Sequence, residues 1–102
     1  MASDATTTIS VVIPVHNESD YVVDAIEELF QEIADVPASI TVLIAENGST
    51  DGTADEVRRL MPIYPGLALL ELSTPDYGAA MREGFLSTDG EWVVNFDIDY
   101  FS

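Results

Sequence analysis

Cysteine and lysine are both absent from the sequence, and its only strong cations are three arginines. Without cysteine, neither a disulfide framework nor a thiolate metal site can exist. Against those arginines stand 19 Asp and Glu residues, giving a formal net charge of −16. A field of that sign repels nucleic acid and anionic membrane surfaces, which recruit basic partners. Net charge tunes solubility rather than fold, so the acidity reads as a heavily solvated surface. The missing lysine fits a salt-adapted source, where high ionic strength screens the self-repulsion. Also missing are an apolar run of about 18 residues and a basic stretch leading into an apolar one. Neither a membrane span nor a secretion signal is therefore expected, and the expected location is the cytoplasm, any membrane association being left to parts beyond Ser102.

What is present is a globular composition, with 47% hydrophobic residues over 102 positions. That is enough for one domain with a modest core, and small for an enzyme that must hold two substrates. Residues 1–8 are small and polar and read as a flexible lead-in, leaving 9–102 as the domain. Residues 9–13 form a β-branched run ended by Pro14, which reads as a buried strand with its C-terminal end at residues 15–17. From Ser19 the period changes. Val22, Ile26, Leu29, Phe30 and Ile33 fall on one helical face, with Asp24, Glu27, Glu28 and Glu32 largely elsewhere, and the helix stops before Pro37.

The alternation repeats. Residues 40–45 are a second apolar strand and 46–52 a polar turn, after which Thr53 and Glu56 form a capping box opening a helix that carries Val57, Leu60 and Met61. Residues 67–72 make a third strand, 76–86 a third helix with Tyr77, Ala80, Met81 and Phe85 inward, and 92–96 a fourth strand. Strands and helices in strict alternation predict an α/β fold, a Rossmann-like parallel sheet with helices on both faces. In such sheets ligands bind beyond the carboxyl ends of the strands, where strand order reverses.

Asp97-Ile98-Asp99 follows the fourth strand. A lone D-x-D in a chain full of acids is most often a pair of solvated carboxylates. Directly after a buried strand, alternate side chains share a face, so Asp97 and Asp99 can aim into one cleft and hold Mg2+ or Mn2+ together with phosphate oxygens. Glu46 and Asn47 end the second strand, polar groups at a rim where a nucleobase or ribose would lie, whereas Gly48, Ser49, Thr50, Gly52 and Thr53 are accounted for by turns and caps. Glu18 either favours the positive end of the first helix dipole or binds a ribose hydroxyl. His16, the single histidine and without an evident partner, is read as exposed or stacked on a base rather than as a general base. Gly78 and its neighbours form a helix start of small residues that lets backbone or ligand approach closely. Arg82 meets a diphosphate, a rim carboxylate or an ordinary surface partner.

Taken in order, Val11-Val12-Ile13-Pro14-Val15-His16-Asn17-Glu18, Glu46-Asn47-Gly48-Ser49-Thr50-Asp51-Gly52-Thr53, Gly78-Ala79-Ala80-Met81-Arg82-Glu83-Gly84 and Asp97-Ile98-Asp99 resemble the family 2 glycosyltransferases with the GT-A fold, including the dolichol-phosphate mannosyltransferase-like branch. The resemblance implies the nucleotide-binding half of an inverting transferase that uses a UDP- or GDP-sugar. Its acceptor is open between a polyprenyl phosphate, a saccharide and a protein. Carried over by position, Pro14, His16 and Glu18 stand at the nucleotide, Glu46 and Asn47 at the base, and Asp97 and Asp99 at ribose, diphosphate and metal; Gly78 and Arg82 join them as nucleotide-sugar contacts from the reading of the residues above. The family usually has an aromatic at the place of His16 and two aspartates at the place of Glu46-Asn47. Its acceptor region and catalytic base follow the D-x-D, so the chain is expected to be truncated after that motif, inactive alone, and no base is assigned within it. The competing expectation is a degenerate, non-catalytic nucleotide-binding module. A sugar nucleotidylyltransferase fits the alternation but lacks the Gly- and Arg/Lys-rich first loop needed for a triphosphate.

Overall fold

The computed structural model describes residues 7–73, 76–86, 88 and 92–95. Strands and helices alternate as β1 (Thr8–Val15), α1 (Val22–Ile33), β2 (Ser39–Asn47), α2 (Thr53–Leu60), β3 (Leu67–Leu72), α3 (Tyr77–Leu86) and β4 (Trp92–Asn95). The strands form one parallel sheet in the order β3-β2-β1-β4. The chain steps outward from β1 to β3 and then crosses back to lay β4 on the other side of β1. Strand order thus reverses between β1 and β4, and in open α/β sheets generally the carboxyl ends at such a reversal are where ligands bind. This is the Rossmann-like arrangement that the alternation predicts.

Both sheet faces are covered, which is why β1 and β2 read as continuous apolar runs. Val11, Ile13 and Val15 of β1 and Val42 and Ile44 of β2 pack against Val22, Ala25, Ile26 and Leu29 of α1 and Val57 and Leu60 of α2. The intervening Val12 and Ala45 point the other way, onto Ala80 of α3. Period-two strands meeting period-3.6 helices produce this division. Each aliphatic side chain so enclosed contributes about 1.5–3 kcal/mol. Asp24, Glu27, Glu28 and Glu32 of α1 all lie on its exposed side.

Of three local features, the first meets the sequence-based expectation and the other two differ from it. β1 runs through Pro14 to Val15, in register with Ala45 and Glu46, and so ends within the expected stretch 15–17. Described pairing with β4 ends at Val12, so Pro14 sits where β1 has a described neighbour on one side only, and its missing N–H is tolerated there. The capping box at Thr53 does not form. Gly52, at φ 91°, occupies the cap position, and the Thr53 amide is met from upstream by Asp51 Oδ1 at 3.1 Å. In α3, Ala80 and Gly84 face the sheet while Phe85 is 43% exposed. The helix lies so near β1 that only small residues fit between them.

Candidate functional site

At the carboxyl ends of β1 and β2, two loops are joined residue by residue. His16 Nδ1 lies 2.6 Å from the Asn47 carbonyl oxygen. A carbonyl only accepts, so Nδ1 carries the proton and donates it, and His16 Nε2 then accepts from Asn17 Nδ2 at 3.3 Å. The Asn17 amide donates to Ser49 Oγ at 2.8 Å, and Asn17 Oδ1 accepts from the Thr50 amide at 2.8 Å. The Glu18 amide donates to Thr53 Oγ1 at 3.0 Å, and the Ser19 amide to Asp51 Oδ2 at 3.2 Å. Thr53 also donates its hydroxyl proton to Asp51 Oδ1. That hydroxyl, aided by the Ser19 and Thr53 amides, lowers the Asp51 pKa from 3.8 to about 2 against a smaller opposing effect of burial. Asn17 adopts φ 51°, the only non-glycine residue described with a left-handed backbone, a conformation asparagine tolerates better than most residues.

The second rim is tied in turn to α3. Asn47, 6% exposed, uses Oδ1 to accept the Asp76 amide at 2.5 Å. Asp76 then caps α3, its Oδ1 accepting the Ala79 amide at 3.0 Å. Glu46, 3% exposed, accepts the Ser49 amide on Oε2 at 2.7 Å and so closes the turn after β2. A glutamate this buried holds its place through that bond and through its register between Val15 and Glu71.

The structure therefore brings His16, Glu18, Glu46 and Asn47 to one rim, with the start of α3 beside them. His16 is exposed as expected but does have partners, the Asn47 carbonyl and the Asn17 amide. Pro14 is buried within β1, two residues before that rim. Gly78 is exposed, and a Cβ there would meet only Asp76 Oδ1 at 3.6 Å. Arg82 follows four residues later on the same side of α3 and is exposed. Arg58 pairs with Asp55 and Glu71, and Arg59 with Glu56, whereas Arg82 has no ion pair among the described residues. Asp97 and Asp99 lie outside the described residues. Within those residues no group of three or more His, Asp or Glu side chains is arranged to hold a metal ion.

The Glycosyl transferase family 2 model matches residues 10–102, nearly the whole chain. The chain belongs to glycosyl transferase family 2. It is 32% identical over 101 residues to the succinoglycan biosynthesis protein ExoA of Rhizobium meliloti, covering 95% of this chain and 30% of that protein. It is 26% identical over 93 residues to the undecaprenyl-phosphate 4-deoxy-4-formamido-L-arabinose transferase of Proteus mirabilis, covering 89% and 28%. The mannosyltransferase PcManGT from Pyrobaculum calidifontis, solved with GDP-Man and Mn2+, superposes with a TM-score of 0.79 at 25% identity, over 89% of this chain and 27% of that one. Mannosyl-3-phosphoglycerate synthase from Rubrobacter xylanophilus gives a TM-score of 0.75 at 25% identity, over 91% and 31%. The chain thus spans less than a third of the length of these relatives.

In this family 2 chain the rim is distinct from the cavity of about 480 Å³ lined by Phe30, Val36, Ile40 and Tyr64. That cavity lies at the strand starts, where Phe30 and Tyr64 stack with ring centroids 4.5 Å apart. Asn17 and Asp51, which hold the rim together, were not among the residues singled out as ligand contacts. The available signal was an asparagine in a tight turn and an aspartate two residues before a helical threonine. Among the described residues, no helix is long and apolar enough to cross a membrane.

Proposed function

We propose that this chain is the donor-binding part of an inverting family 2 glycosyltransferase that takes a UDP- or GDP-sugar. The observation that carries the reading is the convergence of the β1 and β2 exits and the start of α3 on one rim, beside the reversal of strand order. Glu46 retains Oε1 and Asn47 retains Nδ2 beyond their structural bonds, an acceptor and a donor suited to the imide edge of uracil or guanine. Glu18 and His16 flank the ribose, with Pro14 beneath them. Arg82, exposed and one turn beyond Gly78, reaches toward the diphosphate.

Asp97 and Asp99 come two and four residues after the last residue of β4. Their carboxylates are hard oxygen donors of the kind that Mg2+ and Mn2+ prefer, so the donor set suits such an ion. When bound, the ion supplies positive charge to the departing diphosphate. A PcManGT complex with GDP-Man and Mn2+ supports this assignment, as does a glucosyl-3-phosphoglycerate synthase from Mycobacterium tuberculosis solved with Mn2+ and UDP. In the transfer, an acceptor oxygen, from the phosphate of a polyprenyl phosphate or the hydroxyl of a saccharide, bonds to the anomeric carbon from the face opposite the diphosphate. The bond to the diphosphate oxygen breaks and its electron pair leaves with the nucleotide. A hydroxyl acceptor passes its proton to a base assigned to no residue of this chain, whereas an ionised phosphate oxygen has no proton to give up. A polyprenyl phosphate is the favoured acceptor, on the strength of the Proteus mirabilis relative's name.

Calorimetry with UDP, GDP, UDP-glucose and GDP-mannose, with and without Mn2+, tests the reading. Metal-dependent binding that is lost in Asp97→Ala and Asp99→Ala supports it. Absence of binding to every nucleotide at high salt leaves a non-catalytic module instead.

A further inference from the structure

We propose that Asn17, Ser49 and Thr53 are positioning residues that lock the first rim loop onto the second before any donor arrives. The inference rests on the donor-binding reading above and adds how that site is kept in shape. Four consecutive residues, 16–19, each bond across to the stretch from the last residue of β2 to the first of α2, residues 47–53, and every bond involves a side chain. Such a run of contacts is not needed to continue the sheet, because β1 pairing with β2 ends at Val15 and Glu46. Its effect is to carry the register of the strands beyond their ends, into the loops that bear His16 and Glu18 on one side and Glu46 and Asn47 on the other.

Thr53 is the pivot. It is fully buried, and its hydroxyl accepts from the Glu18 amide while donating to Asp51, so one side chain joins the start of α2 to the approach to α1. Asn17 supplies the second point, its left-handed backbone turning the amide toward Ser49 and the side-chain oxygen toward Thr50. Loops ordered in advance spare a ligand the cost of ordering them, so the clamp raises affinity without touching the ligand.

Two measurements on the full chain test this. Amide hydrogen exchange of the free protein reads the clamp itself. The amides of Asn17, Glu18 and Thr50 are expected to be protected, with Glu18 losing protection in Thr53→Val and Asn17 in Ser49→Ala. Thr53→Ser and Ser49→Thr keep the oxygen and retain the protection. Calorimetry with UDP and GDP in the presence of Mn2+ reads the consequence. Thr53→Val, Ser49→Ala and Asn17→Gly, the last keeping the backbone turn but not the acceptor, are expected to bind roughly three- to tenfold more weakly, and the two conservative variants as wild type does. Unprotected amides in the wild type overturn the clamp. Wild-type binding with no loss in the three variants overturns its positioning role and leaves the donor reading intact. A protected clamp in a protein that binds neither nucleotide overturns the donor reading, and the positioning role with it.

Discussion

Gly84 of α3 lies against Val12 of β1, so close that a Cβ at position 84 would stand 2.7 Å from Val12 Cγ1. This contact sets how near α3 sits to the sheet, and with it the place of the helix start beside the rim. Val12 is fully buried and β-branched, so it has no free rotamer into which to retreat. For Gly84→Ala, overpacking costs about 1–3 kcal/mol, while the better helix propensity of alanine offsets about 1 kcal/mol. A net loss of roughly 1 kcal/mol is expected, seen as a lower urea midpoint at unchanged slope. A raised midpoint would mean that the helix has room to move.

The low pKa of Asp51 has a pH signature. In the folded chain it titrates at about 2 rather than 3.8, so between those values the unfolded state binds more protons than the folded one. The stabilising contribution is therefore complete above about pH 4–5 and is lost as the pH falls through about 2. Comparison with Asp51→Asn cancels the titration of the other carboxylates. The stability difference between the two proteins should hold steady from neutral pH to about 5 and shrink toward pH 2. A difference independent of pH would place the effect elsewhere.

On the proposed donor reading, a variant of Arg82 tells diphosphate recognition from base recognition. Arg82→Gln should weaken binding of UDP or GDP about tenfold, as loss of a charge-assisted hydrogen bond does, and leave the corresponding nucleoside nearly unaffected. Isothermal titration of both ligands makes the comparison. Equal effects on nucleoside and diphosphate would remove Arg82 from the phosphate.

The charge of −16 makes stability depend on salt. At low ionic strength the carboxylates repel one another over distances that added salt screens. Thermal unfolding should shift to higher temperature as KCl rises from about 0.1 M, where the screening length is about 10 Å, to 1 M, where it is about 3 Å. A flat response would show the acids to be compensated within the fold.

Much of this architecture was legible before any coordinates. Ile13 and Ile44 stand in unbroken apolar runs because their strands are covered on both faces, and Val22, Ile26 and Leu29 recur at the helical period because α1 is covered on one. The motifs taken in chain order resemble family 2, and the family model's match over residues 10–102 bears that resemblance out. Less legible was the orientation of α3. Phe85 is the larger apolar residue, yet Gly84 is the one that faces the sheet, because the separation of helix and strand selects for size rather than hydrophobicity.

The sequence by itself determined the alternation of strands and helices and the parallel sheet, since both are written in local periodicity, and it carries in short runs of adjacent residues the motifs by which it resembles its family. Only the tertiary structure decided what the rim atoms are doing. His16 meets the carbonyl of a residue 31 positions away, and Glu18 the hydroxyl of one 35 positions away. No local pattern encodes such pairs. They exist because crossovers lay β1 beside β2 in the register Val15 to Glu46, and a hydrogen bond forms only where that register brings donor and acceptor within reach.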